Sequence, residues 1–333
     1  MVKLLIGGSP CTYWSVAQSK GREIEASGTG WELFENYLIA KEKFKPDFFL
    51  YENNKSASQA IKDKISQELG VNLMHINSAL VSAQNRQRFY AFNWHVNQPE
   101  NRHIALRDVL ENAIYQADST AVKPDCPVCL NSKSGRGGQP GLQPSLADRI
   151  YSIDGKATAI TTAFHPKIAV PVAFAPESDT RDIFDVKDGL IQIKGEQSPI
   201  KLPDGRYVIR RLTPIECERL QTLPDDYTSA VCQSQRYKGL GNGWTAEVII
   251  HILSGALKDV PRDEKIIVLS MYDGIGTGRY CLDKMGFTNV KYYAYEIDSS
   301  AITVALSNFQ DIIECGDAFD VRKENWNILE EQK

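Results

Sequence analysis

The sequence predicts an α/β protein built on a nucleotide-binding type of sheet, with a second, smaller domain that is rich in loops. Short apolar runs alternate with amphipathic segments over residues 1–100, as strands and helices alternate in a parallel sheet. A loop with glycines at positions 274, 276 and 278 lies between an apolar run at 265–270 and a helical stretch. Residues 101–205 differ, because proline and glycine are frequent there and the apolar runs are short.

In the first hundred residues, the apolar periodicity predicts both kinds of element. The predicted strands are Val2–Ile6, Asp47–Glu52, Val71–Asn77 and Phe89–Phe92, and the predicted helices are Gly30–Ala40 and Ser58–Leu69.

The rest of the chain returns to regular structure after the loop-rich region. Within that region, short strands are predicted at Ala157–Thr162, Ile168–Ala173 and Gly189–Ile193. Helices are predicted at Arg210–Thr222, where Thr213 and Glu216 form a capping box, and at Trp244–Leu257. After the charged linker 259–264 and the glycine-rich loop come a strand, a helix and a strand at Val290–Glu296, Ser299–Asn308 and Asp311–Cys315.

Length, composition and charge limit the class of protein. A chain of 333 residues can form one large domain with an insertion or two modest domains. The net charge of −4 neither indicates nor excludes a nucleic-acid partner, because such a partner needs only a local basic face. Seven scattered cysteines, an odd number, argue against a disulfide framework. With no signal peptide and no apolar stretch near the roughly 20 residues of a membrane span, we expect a cytoplasmic protein.

The glycine-rich loop and two carboxylates predict a nucleoside site in the C-terminal part. Glu296 ends the strand after the loop, 22 positions beyond Gly274, which is the spacing of an acidic residue that binds ribose hydroxyls. Asp317 follows the next strand, so three strand ends meet at one crevice. NAD fits these features, and S-adenosylmethionine fits better because no second glycine loop occurs. A generic α/β turn with solvated acids is the alternative.

Three side chains near the other terminus suit a planar heteroaromatic substrate. Cys11 follows a strand and a proline, Glu52 ends the next core strand, and Arg88 closes the run Gln-x-Arg-x-Arg. A thiolate can add to an electron-poor ring carbon, a carboxyl can hold a ring nitrogen, and a guanidinium can hold a carbonyl oxygen. The alternatives are a buried structural cysteine and a structural ion pair between Glu52 and Arg88.

Six motifs together have the pattern of one family. They are Gly8-Ser9-Pro10-Cys11, Glu52-Asn53-Asn54, Gln84-Asn85-Arg86-Gln87-Arg88, residues 211–221, residues 235–242 with Gly241-Asn242, and Asp273–Gly278. In these motifs the chain resembles the DNA cytosine-5 methyltransferases over nearly its whole length. Asn54 departs from the pattern, because the family has valine there.

The order of the motifs also departs from the family's. The donor motifs come last instead of first, so the resemblance implies a Rossmann-like, S-adenosylmethionine-dependent methyltransferase sheet that is circularly permuted between its third and fourth strands. Permutation is tolerated when the old termini lie close together, and the linker 259–264 would join them. The implied domains are a catalytic half (1–100), a target-recognition domain (101–205), a recognition-supporting helix with a pocket-closing segment (206–258) and a cofactor-binding half (259–333).

The resemblance implies methyl transfer from S-adenosylmethionine to C5 of a cytosine flipped out of duplex DNA. Cys11 would attack C6, Glu52 would hold N3 and the exocyclic amine, and Arg88 would contact O2, with Arg86 also in the catalytic set. The implied cofactor-binding residues are Pro10, Asn242, Tyr272, Asp273, Gly274, Ile275, Gly276, Thr277, Glu296, Ile297, Asp317 and Ala318.

DNA contacts are expected in two regions. The polar stretch Thr12–Thr29 is expected to be a mobile loop that closes over the flipped base, with Ser15, Gln18 and Arg22 near DNA. In the small domain, the donors expected near DNA are Lys133, Arg136, Gln139, Lys156, Thr161 and Thr162.

Other sites and activities are less well supported. Cys126 and Cys129 have zinc-knuckle spacing, but His103 and His165 would have to complete four ligands, so no metal site is predicted. RNA cytosine methylation is disfavoured by the long recognition domain, and a silent DNA-binding relative is disfavoured because the nucleophile and cofactor residues are present. The expected partner is double-stranded DNA, with a cognate restriction endonuclease left open, and the chain is expected to act as a monomer.

Overall fold

The computed structural model describes residues 1–16, 21–111, 126–131, 148–162, 166–174, 183–193 and 195–326. The strands in chain order are β1 (Val2–Gly7), β2 (Phe48–Asn54), β3 (Leu73–Asn77), β4 (Gln84–Asn85), β5 (Gln87–Phe92), β6 (Ile150–Ser152), β7 (Ala157–Thr158), β8 (Lys167–Pro171), β9 (Ile183–Lys187), β10 (Leu190–Ile193), β11 (Glu196–Pro199), β12 (Gly205–Arg211), β13 (Ile266–Met271), β14 (Val290–Tyr295) and β15 (Ile312–Gly316). The helices are α1 (Thr29–Phe44), α2 (Gln59–Leu69), α3 (Pro214–Leu220), α4 (Gln233–Asn242), α5 (Ala246–Leu257), α6 (Thr277–Lys284) and α7 (Ser299–Asn308). These elements confirm the predicted α/β class. No helix within these ranges is long and apolar enough to cross a membrane.

The central sheet has seven strands in the order β15-β14-β13-β1-β2-β5-β3. Neighbouring strands are parallel except at β5, which runs antiparallel to both β2 and β3. The prediction of a parallel sheet is therefore wrong at β5. Only residues 78–86 connect β3 to β5, and a parallel connection needs a crossover of a dozen or more residues.

β1 pairs with β13 at the centre of this sheet, although the two strands lie at opposite ends of the sequence. Leu4 lies opposite Val268, and Gly7 lies opposite Met271. Leu4 and Val268 are fully buried, as expected for strands that are covered on both faces. The N-terminal ammonium pairs with Glu264, just before β13. The sheet therefore joins the two terminal parts of the chain along their whole strand length.

Helices cover both faces of the central sheet. On one face, α1 and α2 bury Phe34, Tyr37 and Ile61 against the strands. On the other face, α5 and α6 bury Ile249 and Leu282. Burying one such side chain contributes about 1.5–3 kcal/mol, so these apolar faces hold the helices on the sheet.

The capping residues fix where the helices begin. The Ser58 hydroxyl accepts a hydrogen bond from the Ile61 amide (3.3 Å), which starts α2. The predicted capping box of Thr213 and Glu216 is present at the start of α3. That helix begins at Pro214 and not at Arg210, because β12 continues through Arg211.

A second sheet of six strands, in the order β11-β10-β9-β12-β8-β6, carries its own small apolar core. It is antiparallel except for the pair β6–β8. Because β12 belongs to it, this sheet extends beyond the domain boundary predicted at residue 205. A two-residue ladder between β4 and β7 links this region to the segment that follows β3.

The segment around β7 differs from its prediction. The strand ends at Thr158 and not at Thr162, because the Gln84 side chain accepts from the Ile160 amide (2.9 Å) and Arg86 donates to the Ile160 carbonyl (3.0 Å). Lys156, expected near DNA, is buried instead, and this expectation is wrong. Its ammonium donates to the carbonyls of Ala79, Ser82 and Ile104 at 2.6–3.1 Å.

We predict that Lys156→Met destabilises the protein by about 1–3 kcal/mol, because buried carbonyl oxygens lose their charged donor. Chemical denaturation at neutral pH measures this change. Lys187→Met, at an exposed position of β9, is the matched control and should leave the midpoint unchanged. Equal stability of the two variants would contradict the structural role of Lys156.

Candidate active site

The carboxyl ends of β1, β2, β13, β14 and β15 open onto one cavity of about 530 Å³. Helix α4 and the residues after it form a further wall. All predicted catalytic and cofactor-binding residues except Gly276 line this cavity: Pro10, Cys11, Glu52, Arg86, Arg88, Asn242, Tyr272, Asp273, Gly274, Ile275, Thr277, Glu296, Ile297, Asp317 and Ala318.

Cys11 lies in the loop that follows β1. It begins a single turn of 3-10 helix and is half-buried. The Ser9 hydroxyl bonds to Tyr51 (2.7 Å), and the Asn53 amide donates to the Ser9 carbonyl (2.9 Å). A Cβ atom at Gly8 would lie 2.6 Å from the Glu52 carbonyl oxygen, so only glycine allows this approach. The loop that carries the thiol is therefore fastened to β2.

Glu52 contacts two donors inside the cavity. Its Oε1 lies 3.0 Å from Arg88 Nε, and its Oε2 accepts from Trp244 Nε1 at 3.0 Å. The side chains of Glu52 and Arg88 are only 12% and 13% exposed, so solvent screens this ion pair weakly. The ion pair considered as an alternative from sequence is thus present, and it lies in the same cavity as Cys11.

Arg86, one of the predicted catalytic residues, lines the cavity and directs its side chain at backbone oxygens. The buried guanidinium donates to the carbonyls of Ile160 (3.0 Å), Gly241 (2.9 Å) and Gly243 (2.9 Å). Burial, followed by the neighbouring Arg88, lowers the pKa of Arg86. These hydrogen bonds join the segment after β7 to the end of α4.

The glycine-rich loop needs its glycines for different reasons. Gly274 and Gly276 have φ of 68° and 75°, in the left-handed region that favours glycine. A Cβ atom at Gly278 would lie 2.4 Å from Ile6 Cδ1, so glycine lets α6 pack directly on β1. Gly276 packs against Ala305 of α7 and faces away from the cavity, which is why it alone among the predicted residues does not line it.

Glu296 shapes the loop from the end of β14. Its Oε2 accepts from the Gly274 amide, and its Oε1 accepts from the amides of Ile297 and Asp298, all at 2.8 Å. Asp273 bonds inward instead, since its Oδ1 accepts from the Ser270 and Tyr292 hydroxyls at 2.6 Å. Burial raises the pKa of Asp273 to about 6.

The side of the cavity next to the glycine-rich loop fits a polar, nucleoside-like group. Among the described residues, Asp273 Oδ2 and Thr277 Oγ1 are buried without a hydrogen-bond partner, at the start of α6. Buried polar atoms without a partner cost free energy that a bound polar group would relieve. Ile297 is 72% exposed and Phe319 37% exposed beside them, which leaves an apolar surface for a planar ring.

A family model described as C-5 cytosine-specific DNA methylase matches residues 1–258. The chain belongs to this family, and it is a DNA cytosine methyltransferase. The match ends before β13, so the glycine-rich loop and Glu296 lie outside it.

Individual relatives are distant but span most of the chain. The type II methyltransferase M.FnuDI of Fusobacterium nucleatum is 24% identical, covering 79% of this chain and 78% of the relative. The orphan methyltransferase M.SPRI of Bacillus phage SPR is 23% identical, covering 74% and 80%. Among solved structures, S. pombe Dnmt2 methyltransferase is similar with a TM-score of 0.41 at 17% identity, covering 77% of each chain. A putative DNA modification methyltransferase encoded within an E. coli prophage gives 0.42 at 13% identity, covering 77% and 78%.

In this DNA methylase, the residues expected near DNA fall into two groups. Gln18, Lys133, Arg136 and Gln139 lie outside the described residues. Ser15 is half-buried beside Asn54, whose amide donates to its hydroxyl (3.4 Å), while Thr161 and Thr162 are exposed.

Three side chains of the segment 12–29 hold it to the rest of the protein, although most of its described residues are exposed. Trp14 is fully buried, and its indole donates to Glu23 Oε2 (3.1 Å). The Arg22 guanidinium, expected near DNA, donates to the carbonyls of Trp14 (3.1 Å) and Ser56. These donors fasten the Cys11 loop to the chain just after β2.

The cysteine pair has no metal-site geometry in the described region. Cys126 is exposed, and Cys129 Sγ lies 3.4 Å from the Asn131 carbonyl oxygen. Within the ranges that the structure describes, no three side chains of the metal-ligating types are grouped together. His165, which would have to complete the site, lies outside those ranges.

The sequence pattern gives no sign of the surroundings of Trp244 and Glu314. Trp244 lines the cavity, whereas the pattern predicts only that it begins an apolar helix. Glu314 on β15 lies outside the cavity lining, and both of its carboxyl oxygens are buried without a partner among the described residues. Burial, followed by Asp273 and Glu296, raises the pKa of Glu314 to about 7.

We predict that Glu314→Gln stabilises the protein more at pH 8 than at pH 5. Below about pH 4.5 the carboxyl is protonated in both states and contributes nothing. As the pH rises to about 7, the unfolded chain ionises first, so stability falls. The difference in Tm from wild type should grow to roughly 2 °C or more at pH 8. Glu100→Gln, at an exposed position, is the control, and an equal difference at both pH values would contradict the assignment.

Proposed function

We propose that this methyltransferase transfers a methyl group from S-adenosylmethionine to C5 of a cytosine flipped out of duplex DNA, through a covalent bond between Cys11 and C6. The observation that carries the proposal is the single cavity lined by Cys11, Glu52, Arg88 and Glu296. Cys11 and Glu52 are thereby available to the cytosine, and Glu296 is available to S-adenosylmethionine in the same cavity.

The cofactor would occupy the side of the cavity next to the glycine-rich loop. Glu296 and Asp317 are the carboxylates available to a ribose, and Tyr272, Ile297 and Ala318 offer apolar surface to an adenine. The helix start at Thr277 favours polar groups. S-adenosylmethionine, when bound, supplies an electrophilic methyl group. Pro10 and Asn242 line the boundary with the acceptor side.

On the acceptor side, the chain's own residues would activate the base. A cytosine inside a duplex hides its C6 face, so the base leaves the stack at a cost of a few kcal/mol. Addition of the Cys11 thiolate to C6 makes C5 nucleophilic, while Glu52 holds N3 and the exocyclic amine and Arg88 holds O2. Once C5 carries the methyl group, loss of the C5 proton and departure of the Cys11 sulfur restore the aromatic ring.

We further propose that the chain is a circularly permuted form of its family. Two findings support this: the family match stops at residue 258, and β13, which follows it, pairs in parallel with β1. The segment 259–264 would then join the ends of the unpermuted order. The cofactor half and the catalytic half meet through strand pairing, and α6 packs on β1 through Gly278.

The region 101–205, which carries most of the second sheet, is proposed as the target-recognition domain, with its sheet extending along β12. Its residues Thr161 and Thr162 lie against α4, because a Cβ atom at Gly241 would lie 2.4–2.8 Å from their backbone. Residues 206–258 would support it and close the pocket. Double-stranded DNA in the cytoplasm is the proposed substrate, with the protein acting as a monomer. The type II names among its relatives favour a cognate restriction endonuclease.

The test uses plasmid DNA and labelled S-adenosylmethionine, with methylated positions mapped by sequencing. We expect label at C5 of cytosines in a defined sequence, and Cys11→Ser should lower the rate at least roughly a thousandfold. Cys126→Ser, at an exposed cysteine outside the cavity lining, is the matched control and should retain full activity.

A trapped complex tests the covalent step. Duplex containing 5-fluorocytosine should remain bound to Cys11 through denaturing electrophoresis, because fluorine cannot leave C5 as a proton does. Label on adenine, label only in an RNA arm, or a trapped adduct with the Cys11→Ser variant would overturn the proposal.

A further inference from the structure

Among the described tryptophans, Trp244 is the one whose indole donates a hydrogen bond to a side chain proposed to bind the base. Its Nε1–H donates to Glu52 Oε2 at 3.0 Å, while Arg88 Nε lies 3.0 Å from Glu52 Oε1. Two residues therefore hold the two oxygens of the Glu52 carboxyl. Trp244 is 192 positions away in sequence, and Arg88 is 36 positions away. Trp244 is half-buried and lines the cavity.

The backbone around Trp244 is fastened on both sides. The Gly243 carbonyl accepts from Arg86 (2.9 Å) and from the Gln221 amide (3.1 Å). The Thr245 hydroxyl bonds to Ser78 (2.8 Å) and to Gln221 Oε1 (2.9 Å). The indole is thus presented to Glu52 from a fixed support, and its hydrogen bond does not depend on a flexible loop.

The chemistry of an indole suits this place. An indole N–H only donates, so Trp244 cannot take the proton that Glu52 shares with a base. A carboxylate has about four lone-pair sites, and the two contacts occupy one on each oxygen, which leaves one site on each oxygen for a base edge. A Cβ atom at Gly8 would lie 3.0 Å from Glu52 Oε2, so the loop before Cys11 passes close to that oxygen.

We propose that Trp244 is a positioning residue for methyl transfer, which fixes the Glu52 carboxyl so that one oxygen accepts from the exocyclic amine of the cytosine and the other shares a proton with N3. This inference rests on the proposed function.

Trp244→Phe removes the N–H and keeps an aromatic ring. With plasmid DNA and labelled S-adenosylmethionine, we expect kcat to fall about tenfold, while KM for each substrate stays within about twofold. 3-Benzothienylalanine at position 244, which replaces N–H by sulfur in the same shape, should give the same result and serves if the phenylalanine variant does not fold.

Trp94→Phe is the matched control. It also loses one indole hydrogen bond, from Trp94 Nε1 to the Ile252 carbonyl (2.8 Å), at a residue outside the cavity lining. It should lower stability and leave kcat and the KM for each substrate unchanged. The inference is overturned if the two variants behave alike, or if kcat of the position-244 variants matches wild type. Absence of cytosine methylation by wild type would instead overturn the proposed function.

Discussion

The pairing of β1 with β13 is the constraint on which the rest of the structure depends. It aligns the end of β1, which leads into Cys11, with the end of β13, which leads into the glycine-rich loop. Parallel strands end at the same edge, so both loops open onto one cavity. The absence of a side chain at Gly278 brings α6 onto β1 and makes the junction a packed core. The two terminal parts of the chain are far apart in sequence, yet they supply neighbouring strands of one sheet.

Around that junction, several charged side chains hold backbone groups in place. Arg86 and Glu296 use charged side chains to hold backbone carbonyls and amides, whereas Asp273 accepts from the Ser270 and Tyr292 hydroxyls. The Glu52–Arg88 pair differs, because its members face the cavity. A structural ion pair and a site of base recognition are therefore compatible descriptions of the same two residues. Together these contacts give the cavity walls little freedom to rearrange.

The sequence was sufficient for much of the fold and for the composition of the cavity. Unbroken apolar runs such as Leu4-Leu5-Ile6 predict central strands, and short motifs at strand ends predict side chains that meet. It was insufficient where a residue's environment comes from remote segments. Lysine is usually found at the surface, yet carbonyls from separate loops surround Lys156. Trp244 reaches Glu52 only through the end of α4, and no local pattern indicates that contact.

The packing of the segment after Cys11 has a consequence for binding. Trp14, Glu23 and Arg22 fasten its described parts to the core and to the chain after β2. Part of the conformational entropy of the loop that carries the thiol is therefore lost when the chain folds. That part is not lost again when a substrate binds, which leaves more of the interaction free energy as affinity.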